Sequence, residues 1–278
     1  NLLSLGTSRD NLRQGASDLK ALVMAIPVMD YDGDTTPDLD ANKISFVGIS
    51  LGGIVGTVFT SLDGVTDNKI KAAVLNVPGG GIAKLLDGSS SFGPRIRGGL
   101  AANGIVAGTA TYESFLWVAQ TLVDSGDPVN FADLSQTKGN PVLVQEVVGN
   151  GSTNPSDLVV PNSVAARTFT NPVTGLPYTV YSEGPLGGTE PLITNLGLTS
   201  QSAPIAPSAT NVRAAVRFLL GHHGSLLTTD MNGNGIADEP AVFGDVQKEM
   251  QGQMASFIIT GGKALSITPA LVGSVVKP

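Results

Sequence analysis

Cysteine, charge and long apolar stretches are all scarce in this sequence. It has no cysteine, which excludes disulfide bonds, thiolate metal sites and a cysteine nucleophile. Charged residues make up 14% of the chain, whereas an average soluble domain has about 25%. The longest apolar stretch, residues 264–276, contains Pro269 and is shorter than the roughly 20 residues of a membrane-spanning helix. The lack of cysteine fits a secreted or envelope protein that does without disulfide bonds.

Positive charge and histidine are also scarce, and each scarcity narrows the range of possible functions. The 16 basic residues are outnumbered by 23 acidic ones, which gives a formal net charge of −7, so we expect no nucleic-acid partner. The only histidines are the adjacent His222 and His223. Two neighbouring histidines without further histidine or cysteine ligands make a poor catalytic zinc site. The sequence therefore disfavours a metal-dependent hydrolase.

Helical and extended patterns alternate along the 278 residues, which are enough for one α/β domain with insertions or for two small domains. Apolar residues at helical spacing predict amphipathic helices at 9–26 and 246–259, and small residues predict a tightly packed helix at 51–62. Short apolar runs predict buried strands, at 44–49, 70–77, 142–148 and 212–220. This alternation predicts an α/β fold with a mostly parallel sheet flanked by helices.

Two segments depart from that alternation. Residues 82–140 contain apolar stretches at 98–108 and 112–123, which we interpret as helices between loops rich in Ser and Gly. The segment 160–210 is rich in Asn, Pro, Ser, Thr and Gly and has only short strand-like pieces. We therefore predict three parts: a core of residues 1–81 and 141–278, an irregular insertion at 160–210 within it, and a helical lid insertion at 82–140.

Ser50 stands where the predicted strand 44–49 ends and the helix 51–62 begins, between the glycines of GISLG. A serine at such a junction is lifted clear of the sheet, and small neighbours permit the sharp turn. The N-terminus of the following helix directs free N–H groups to the same place, so the amide of Leu51 is a candidate oxyanion donor. This context favours a nucleophile over an inert serine in a glycine-rich turn.

An activated serine needs a base, and the two histidines are the only imidazoles in the chain. They follow the predicted strand 212–220, so parallel-sheet geometry places them on the same edge as Ser50. Adjacent side chains leave a loop in different directions, and at most one histidine faces the serine. We prefer His223, because Gly224 gives the turn room.

A carboxylate should hold that imidazole in its reactive tautomer. Asp157, in the loop after the strand 142–148, is the preferred candidate. Glu146 lies within the strand and would point sideways, and Asp127 precedes the strand and is the reserve candidate. The resulting order along the chain is nucleophile, acid and base.

That order is the one found in α/β-hydrolases, and the motifs GISLGG, SDLVVP and HHGSLL resemble those of that superfamily. More narrowly, DGDTTPDLDANKISFVGISLGG with HGSLL and EMQGQMASF resembles the bacterial virulence-factor lipases, which are surface or secreted ester hydrolases. The resemblance spans most of residues 9–262. It implies an α/β-hydrolase fold and hydrolysis of carboxylic esters, from short esters to lipids, outside the cell or at the bacterial surface or envelope.

The superfamily normally has several strands before the nucleophile strand, and a loop after an early strand supplies the second oxyanion donor. Here only 43 residues precede Ile44, so we expect an N-terminally truncated fold. The chain begins with Asn1 rather than Met, and we interpret it as a mature or trimmed product. Three explanations for the missing strands are open: the chain is a fragment, a companion chain carries those strands, or the sheet is unusually small. Loss of one oxyanion donor costs about 10²–10³ in rate.

Two acidic loops have spacings typical of calcium ligands. The first loop offers the carboxylates of Asp30, Asp32, Asp34 and Asp38 and the carbonyl of Thr36. The second offers the side chains of Asp230, Asn232, Asn234 and Asp238 and the carbonyl of Ile236. Thr35 replaces the usual glycine of the first loop, and a solvated acidic turn is the alternative for each. We expect structural Ca²⁺ that braces the catalytic loops and no cofactor for the chemistry.

These features together predict a serine carboxylesterase or lipase. Its substrate would be a small-molecule or lipid ester, with peripheral contact to membrane lipid. Lysophospholipase or thioesterase activity is the near alternative. A catalytically impaired, calcium-braced surface or binding domain is the alternative from a different class, and the missing strands favour it.

Overall fold

A computed structural model describes residues 4–66, 69–170, 174–180, 183–230 and 240–278. The strands in these ranges are Phe46–Ile49 (β1), Ala73–Asn76 (β2), Val142–Val147 (β3), Arg167–Thr170 (β4), Pro177–Val180 (β5), Thr199–Ser200 (β6) and Arg213–Phe218 (β7). Within the described residues, five strands form a sheet in the order β1-β2-β3-β7-β6, and each neighbouring pair is parallel. β4 and β5 form a separate antiparallel pair.

Helices accompany this sheet along the chain. Those in the described ranges are Leu5–Ala25 (α1), Leu51–Thr66 (α2), Ile82–Gly88 (α3), Gly93–Ala101 (α4), Ala110–Val123 (α5), Ala132–Lys138 (α6), Thr189–Asn195 (α7) and Pro240–Ile259 (α8). Across the same described ranges, no helix is both long and apolar enough to cross a membrane.

The core lies on both faces of the sheet because side chains alternate along each strand. Leu75 of β2 packs in a cluster with Phe59 of α2. Val74, its neighbour on β2, packs on the other face in a cluster with Met250 and Phe257 of α8. All are almost fully buried. The predicted α/β fold with a mostly parallel sheet flanked by helices is therefore confirmed.

The segment 82–140 contains α3 to α6. The helix predicted over 98–108 is largely wrong, because α4 begins at Gly93 and ends at Ala101. Gly104 has a φ of +79°, and the N–H of Ile105 bonds back to the carbonyl of Leu100 at 3.0 Å. A left-handed glycine of this kind ends a helix, so turns occupy the remainder of that stretch.

The helices of this segment are held by hydrogen bonds and ion pairs in buried and partly buried positions. Asp87 of α3 accepts a hydrogen bond from the Tyr112 hydroxyl at 2.7 Å and one from Arg97 at 2.9 Å. Burial, and then the bond to Asp87, raises the pKa of Tyr112. Lys84 and Glu113 form a second ion pair at 2.5 Å between α3 and α5. These contacts tie α3, α4 and α5 into one packed unit.

The segment 160–210 has more regular structure than its composition indicates. It contains the β4–β5 pair, α7 and β6, and β6 extends the main sheet by pairing Thr199 with Ala214 of β7. Leu192 and Ile193 of α7 are buried in the core. α7 has seven residues and β6 has two, and elements this short carry too few apolar residues for a periodic pattern.

β1, the strand that leads to Ser50, has one open side. The N–H of Phe46 bonds to the carbonyl of Ala72, the residue before β2, at 2.8 Å, and the N–H of Ser50 bonds to the carbonyl of Asn76 at the end of β2, at 2.9 Å. In a parallel strand alternate residues face opposite sides, so Val47 and Ile49 direct their N–H and C=O groups away from β2. An apolar groove of about 690 Å³ runs along this side between β1, α1 and α2. No strand within the described ranges pairs with this edge of β1.

Candidate active site

Three predicted site residues follow parallel strands of the sheet. Ser50 directly follows β1, Asp157 lies in the loop after β3, and His223 lies in the loop after β7. Since these strands are parallel, all three loops leave the carboxyl edge of the sheet. This is the edge where open α/β sheets bind ligands.

Ser50 has an unusual backbone conformation. Its φ is +55°, in the left-handed region that costs a non-glycine residue about 1–2 kcal/mol. The strain is held in place because the Ser50 N–H bonds to the carbonyl of Asn76 on β2 at 2.9 Å, while its own carbonyl accepts the N–H of Ile54 at 2.9 Å. The side chain is only half-buried. A strained, accessible serine between strand and helix is typical of a nucleophile elbow.

The glycines around this turn are not equally necessary. A Cβ atom at Gly48 would lie 2.3 Å from the carbonyl oxygen of Gly52, and one at Gly56 would lie 2.1 Å from the Phe46 ring. A Cβ atom at Gly52 would meet nothing within 4 Å. Of the two glycines in the motif, only the first is therefore required by packing.

His223 and Asp157 are hydrogen bonded. Nδ1 of His223 lies 2.7 Å from Oδ2 of Asp157. The other carboxylate oxygen, Oδ1, accepts the N–H groups of Val159 at 2.8 Å and Val160 at 3.1 Å. The Asp157 side chain is 2% exposed and that of His223 is 21% exposed. A buried carboxylate fixed in this way keeps the proton on Nδ1 and leaves Nε2 free to act as a base.

His222 takes part in a different set of contacts. Its Nδ1 accepts the N–H of Gly224 at 3.1 Å, and its backbone N–H bonds to Oγ of Ser225 at 2.8 Å. Its ring lies edge-on to Phe243, with centroids 6.1 Å apart. The preference for His223 thus agrees with the geometry, and His222 supports the loop.

Asn154 is a positioning residue that the sequence reasoning missed. Its Nδ2 donates to the carbonyl of Gly221 at 3.1 Å, and its Oδ1 accepts the N–H of Gly221 at 3.3 Å. Asn154 is 5% exposed, and Gly221 has a φ of +115°. This paired contact joins the loop of Asp157 to the loop of His223. Asparagine is common in loops, so no sequence pattern distinguished it.

A catalytic triad also needs a contact between the serine hydroxyl and the histidine ring. Among the hydrogen bonds of the described residues, none joins the Ser50 hydroxyl to the His223 ring, and Asp157 is the partner of that ring. Such bonds are often long before a substrate is bound. The residues Ser50 and His223 share the sheet edge, and the Asp157–His223 pair is already formed there.

The two other carboxylates considered as the triad acid have structural contacts. Asp127 is fully buried and accepts the N–H groups of Gly81 at 3.1 Å and Ile82 at 2.7 Å, where α3 begins. Glu146 accepts Nδ2 of Asn162 at 2.6 Å. Neither carboxylate has a hydrogen bond to a histidine among those of the described residues. Asp157 is the predicted acid that the structure brings to His223.

Glu146 shares an arginine with another carboxylate. Arg217 forms two hydrogen bonds with Glu190, at 2.7 and 2.6 Å, and lies 3.5 Å from Glu146. Burial and the charge of Glu190 raise the pKa of Glu146 to about 8. The hydrogen bonds between Glu190 and Arg217 hold the pKa of Glu190 below its usual value. One guanidinium thus neutralises one of two neighbouring carboxylates.

Leu51 is the first residue of α2, and the first amides of a helix have no acceptor within it. Its N–H is therefore available beside Ser50. Leu51 and Val55 also line an apolar cavity of about 340 Å³, together with residues of α1, α3, α4 and α5. The cavity thus borders the residue next to the predicted nucleophile.

The first acidic loop brings together three of its predicted ligands. Carboxylate oxygens of Asp30, Asp32 and Asp38 lie within 4.8 Å of one another, and all three residues are exposed. Asp34 is not in this group, and its Oδ1 instead accepts the N–H of Thr36 at 2.7 Å. The N–H groups of Thr35 and Gly33 lower the pKa of Asp30. Carboxylate oxygens are ligands that Ca²⁺ prefers, so the three that converge fit that ion.

Only the beginning of the second acidic loop can be placed. Asp230 is described, and its N–H bonds to the Thr228 hydroxyl at 3.0 Å. The other predicted ligands, Asn232, Asn234, Ile236 and Asp238, lie outside the described residues.

Comparison with known proteins adds no identity to this site. No protein-family model matches the chain, and no curated protein matches it.

Proposed function

We propose that this protein is a serine carboxylesterase or lipase of the α/β-hydrolase type. The observation that carries the proposal is the 2.7 Å hydrogen bond between Asp157 and His223, on the sheet edge where Ser50 occupies a strained turn. A buried carboxylate on Nδ1 of the base and a serine in a strained turn after a strand are together typical of the activated serine in α/β-hydrolases. Either feature alone is common in proteins without such activity.

In the proposed reaction, Oγ of Ser50 attacks the acyl carbon of the ester and Nε2 of His223 accepts the hydroxyl proton. Asp157 stabilises the imidazolium that forms and keeps it oriented. The Leu51 amide donates to the oxyanion of the tetrahedral intermediate. Collapse of the intermediate breaks the bond to the alcohol oxygen, which takes the proton from His223. Water then adds to the acyl-enzyme by the same steps, releases the acid and restores Ser50.

We propose that residues 82–140 form a cap over this site. The support is that α3, α4 and α5 share the cavity beside Leu51 with α1 and α2. The buried contacts of Asp87 with Tyr112 and Arg97 favour a fixed cap over a lid that opens. An enzyme with a fixed cap should hydrolyse soluble esters without activation by a lipid surface.

We propose that the second oxyanion donor comes from an extended polypeptide segment that pairs with the open side of β1. The free N–H and C=O groups of Val47 and Ile49 match those of a further parallel strand. This edge ends at Ser50, so a loop after an added strand would lie beside the nucleophile. Without it, the chain should be slower by about 10²–10³.

Calcium and location outside the cytoplasm remain parts of the proposal. The converging carboxylates of Asp30, Asp32 and Asp38 support a structural Ca²⁺ in the first acidic loop. The lack of cysteine is compatible with a secreted or bacterial surface protein. Contact with membrane lipid would be peripheral.

A non-catalytic binding domain is the second candidate function. It is favoured by two observations, the open edge of β1 and the Ser50 hydroxyl that has no hydrogen bond to His223 among the described residues. The Asp157–His223 hydrogen bond disfavours it, because an imidazole oriented by a buried carboxylate has a direct role in catalysis and none in binding alone.

Turnover of 4-nitrophenyl butyrate separates the two candidates. We expect the wild-type protein to release nitrophenol catalytically and Ser50→Ala to lose at least about 10³ of kcat. Ser91→Ala is the matched control, since Ser91 is an exposed serine in the cap segment, and it should keep full activity. Equal turnover by wild type and Ser50→Ala would contradict the esterase proposal. Matching lysophospholipid and thioester substrates would distinguish the near alternatives.

A further inference from the structure

We infer that the cavity beside Leu51 holds the acyl chain of the substrate and limits it to medium length, a conclusion that rests on the proposed esterase function. The cavity has a volume of about 340 Å³. It is bordered by Leu51 and Val55 on the first two turns of α2, and therefore begins one residue from the nucleophile. Leu51 lines this apolar space and directly follows Ser50 in the chain, which is the basis for assigning the cavity to an acyl group bonded to Oγ of Ser50.

The lining suits a hydrocarbon chain better than a polar group. Of its lining residues, only Ser8 and Asn11 carry polar side chains, and both lie on α1. The α5 wall consists of apolar residues such as Leu116, Ala119 and Val123, which are at most 6% exposed. A sugar or a charged alcohol would lose its hydrogen bonds with water here and find few replacements. The alcohol part of the ester would then lie outside this cavity.

The volume limits the chain length. A methylene group needs about the volume of a liquid water molecule, roughly 30 Å³, so 340 Å³ is space for about ten such groups. The inferred optimum is therefore an acyl chain of about eight to ten carbons. Each methylene buried up to that length should raise kcat/KM by about fourfold, and longer chains should gain nothing further.

Ala119 is the residue that we expect to set the limit. It is 6% exposed and lies on the cavity wall contributed by α5. A phenylalanine at this position would project into the space that the end of the chain needs. Val118, its neighbour on α5, is 57% exposed and does not line the cavity, so it provides a matched control on the same helix.

The test is kcat/KM for 4-nitrophenyl esters from acetate to palmitate, measured for wild type, Ala119→Phe and Val118→Phe. We expect a wild-type optimum near eight to ten carbons. Ala119→Phe should lower the ratio of decanoate to acetate activity by at least tenfold, and Val118→Phe should leave the profile unchanged. A profile that Ala119→Phe does not alter would overturn the inference.

A second variant covers the case in which Ala119→Phe does not fold. Leu86 of α3 lines the same cavity and is half-buried, so Leu86→Ala should enlarge the space and move the optimum to longer chains. An unchanged optimum in Leu86→Ala overturns the inference as well.

A binding measurement separates failure of the esterase proposal from failure of the cavity assignment. If wild type cleaves none of the esters, decanoate binding to Ser50→Ala is measured by calorimetry. Binding that the additional substitution Ala119→Phe weakens by at least tenfold would retain the cavity as an acyl site in a protein that is not an esterase. Absence of decanoate binding would overturn the cavity assignment too.

Discussion

Replacing Asp157 with asparagine keeps the shape of the side chain and reverses one of its hydrogen bonds. Oδ1 of Asp157 accepts the N–H groups of Val159 and Val160, so the oxygen of an asparagine must take that position. Its NH₂ group then faces Nδ1 of His223, where Oδ2 now lies at 2.7 Å. An NH₂ group donates and does not accept. Nδ1 must therefore become the acceptor, and the ring proton moves to Nε2, the proposed base.

The expected loss follows from this change of tautomer. A triad whose aspartate becomes asparagine loses about 10⁴ in kcat, which corresponds to about 5.4 kcal/mol of transition-state stabilisation at 1.36 kcal/mol per tenfold. KM should change little, because Asp157 is 2% exposed and does not reach the substrate. The melting temperature should also change little, since the volume and both backbone contacts are kept.

The assay combines initial rates on 4-nitrophenyl butyrate with thermal melting of each variant. Asp127→Asn is the control, because Asp127 also accepts backbone N–H groups and, within the described residues, has no bond to a histidine. We expect it to lower the melting temperature and to affect kcat of the folded enzyme far less. If Asp157→Asn keeps more than about a tenth of the activity, the tautomer argument is wrong.

Three further predictions concern the turn, the buried carboxylate and the acidic loop. Gly48→Ala should cost about 1–3 kcal/mol of unfolding free energy in urea, because its Cβ would lie 2.3 Å from a carbonyl oxygen, whereas Gly52→Ala has open space and should change it by less than about 0.5 kcal/mol. Glu146 has a raised pKa, about 8 against 4.5, so it binds a proton in the folded state that the unfolded chain releases. Wild type should therefore lose stability as the pH rises from about 4.5 to about 8, by up to about 1.4 kcal/mol per pH unit, and Glu146→Gln should flatten this slope; an equally steep slope in the variant would refute the assignment. Millimolar Ca²⁺ should raise the melting temperature and EDTA should reverse it, and Asp30→Asn should abolish the response; a melting temperature that ignores both reagents would contradict the calcium proposal.

The strands and the sheet edge of the site could be predicted from the sequence because a buried parallel strand leaves a simple signal. Each of β1, β2, β3 and β7 lies within a short apolar run, and the side chains that follow such strands must meet at one edge. The pairing of Asp157 with His223 is present in the structure. Its catalytic role stays a prediction.

Features that depend on long-range packing could not be predicted. The prediction at 98–108 failed because apolar composition does not reveal a left-handed Gly104, which ends α4. α7 and β6 were missed because they are stabilised by burial against the core and by pairing with β7, and not by their own periodicity. Asn154 was missed for the same reason, since its partner Gly221 is 67 residues away.

The glycines around Ser50 contribute to the turn differently from the expectation. Both flanking glycines were expected to permit the turn, yet only Gly48 is closely packed against the backbone, and Gly56, outside the motif, is packed against Phe46. The sharp turn predicted at Ser50 is present, with a φ of +55°. It is the feature that distinguishes this serine from others in a glycine-rich chain.

Labelling with a fluorophosphonate tests most directly whether the three loops make one reactive serine. Wild-type protein should be tagged at Ser50, as located by peptide mass spectrometry, and His223→Asn should slow the tagging by at least about 10³. His222→Asn, which preserves an acceptor for the Gly224 N–H, should be tagged almost as fast as wild type. A tag on another residue, or an equal rate with and without the His223 imidazole, would contradict the account.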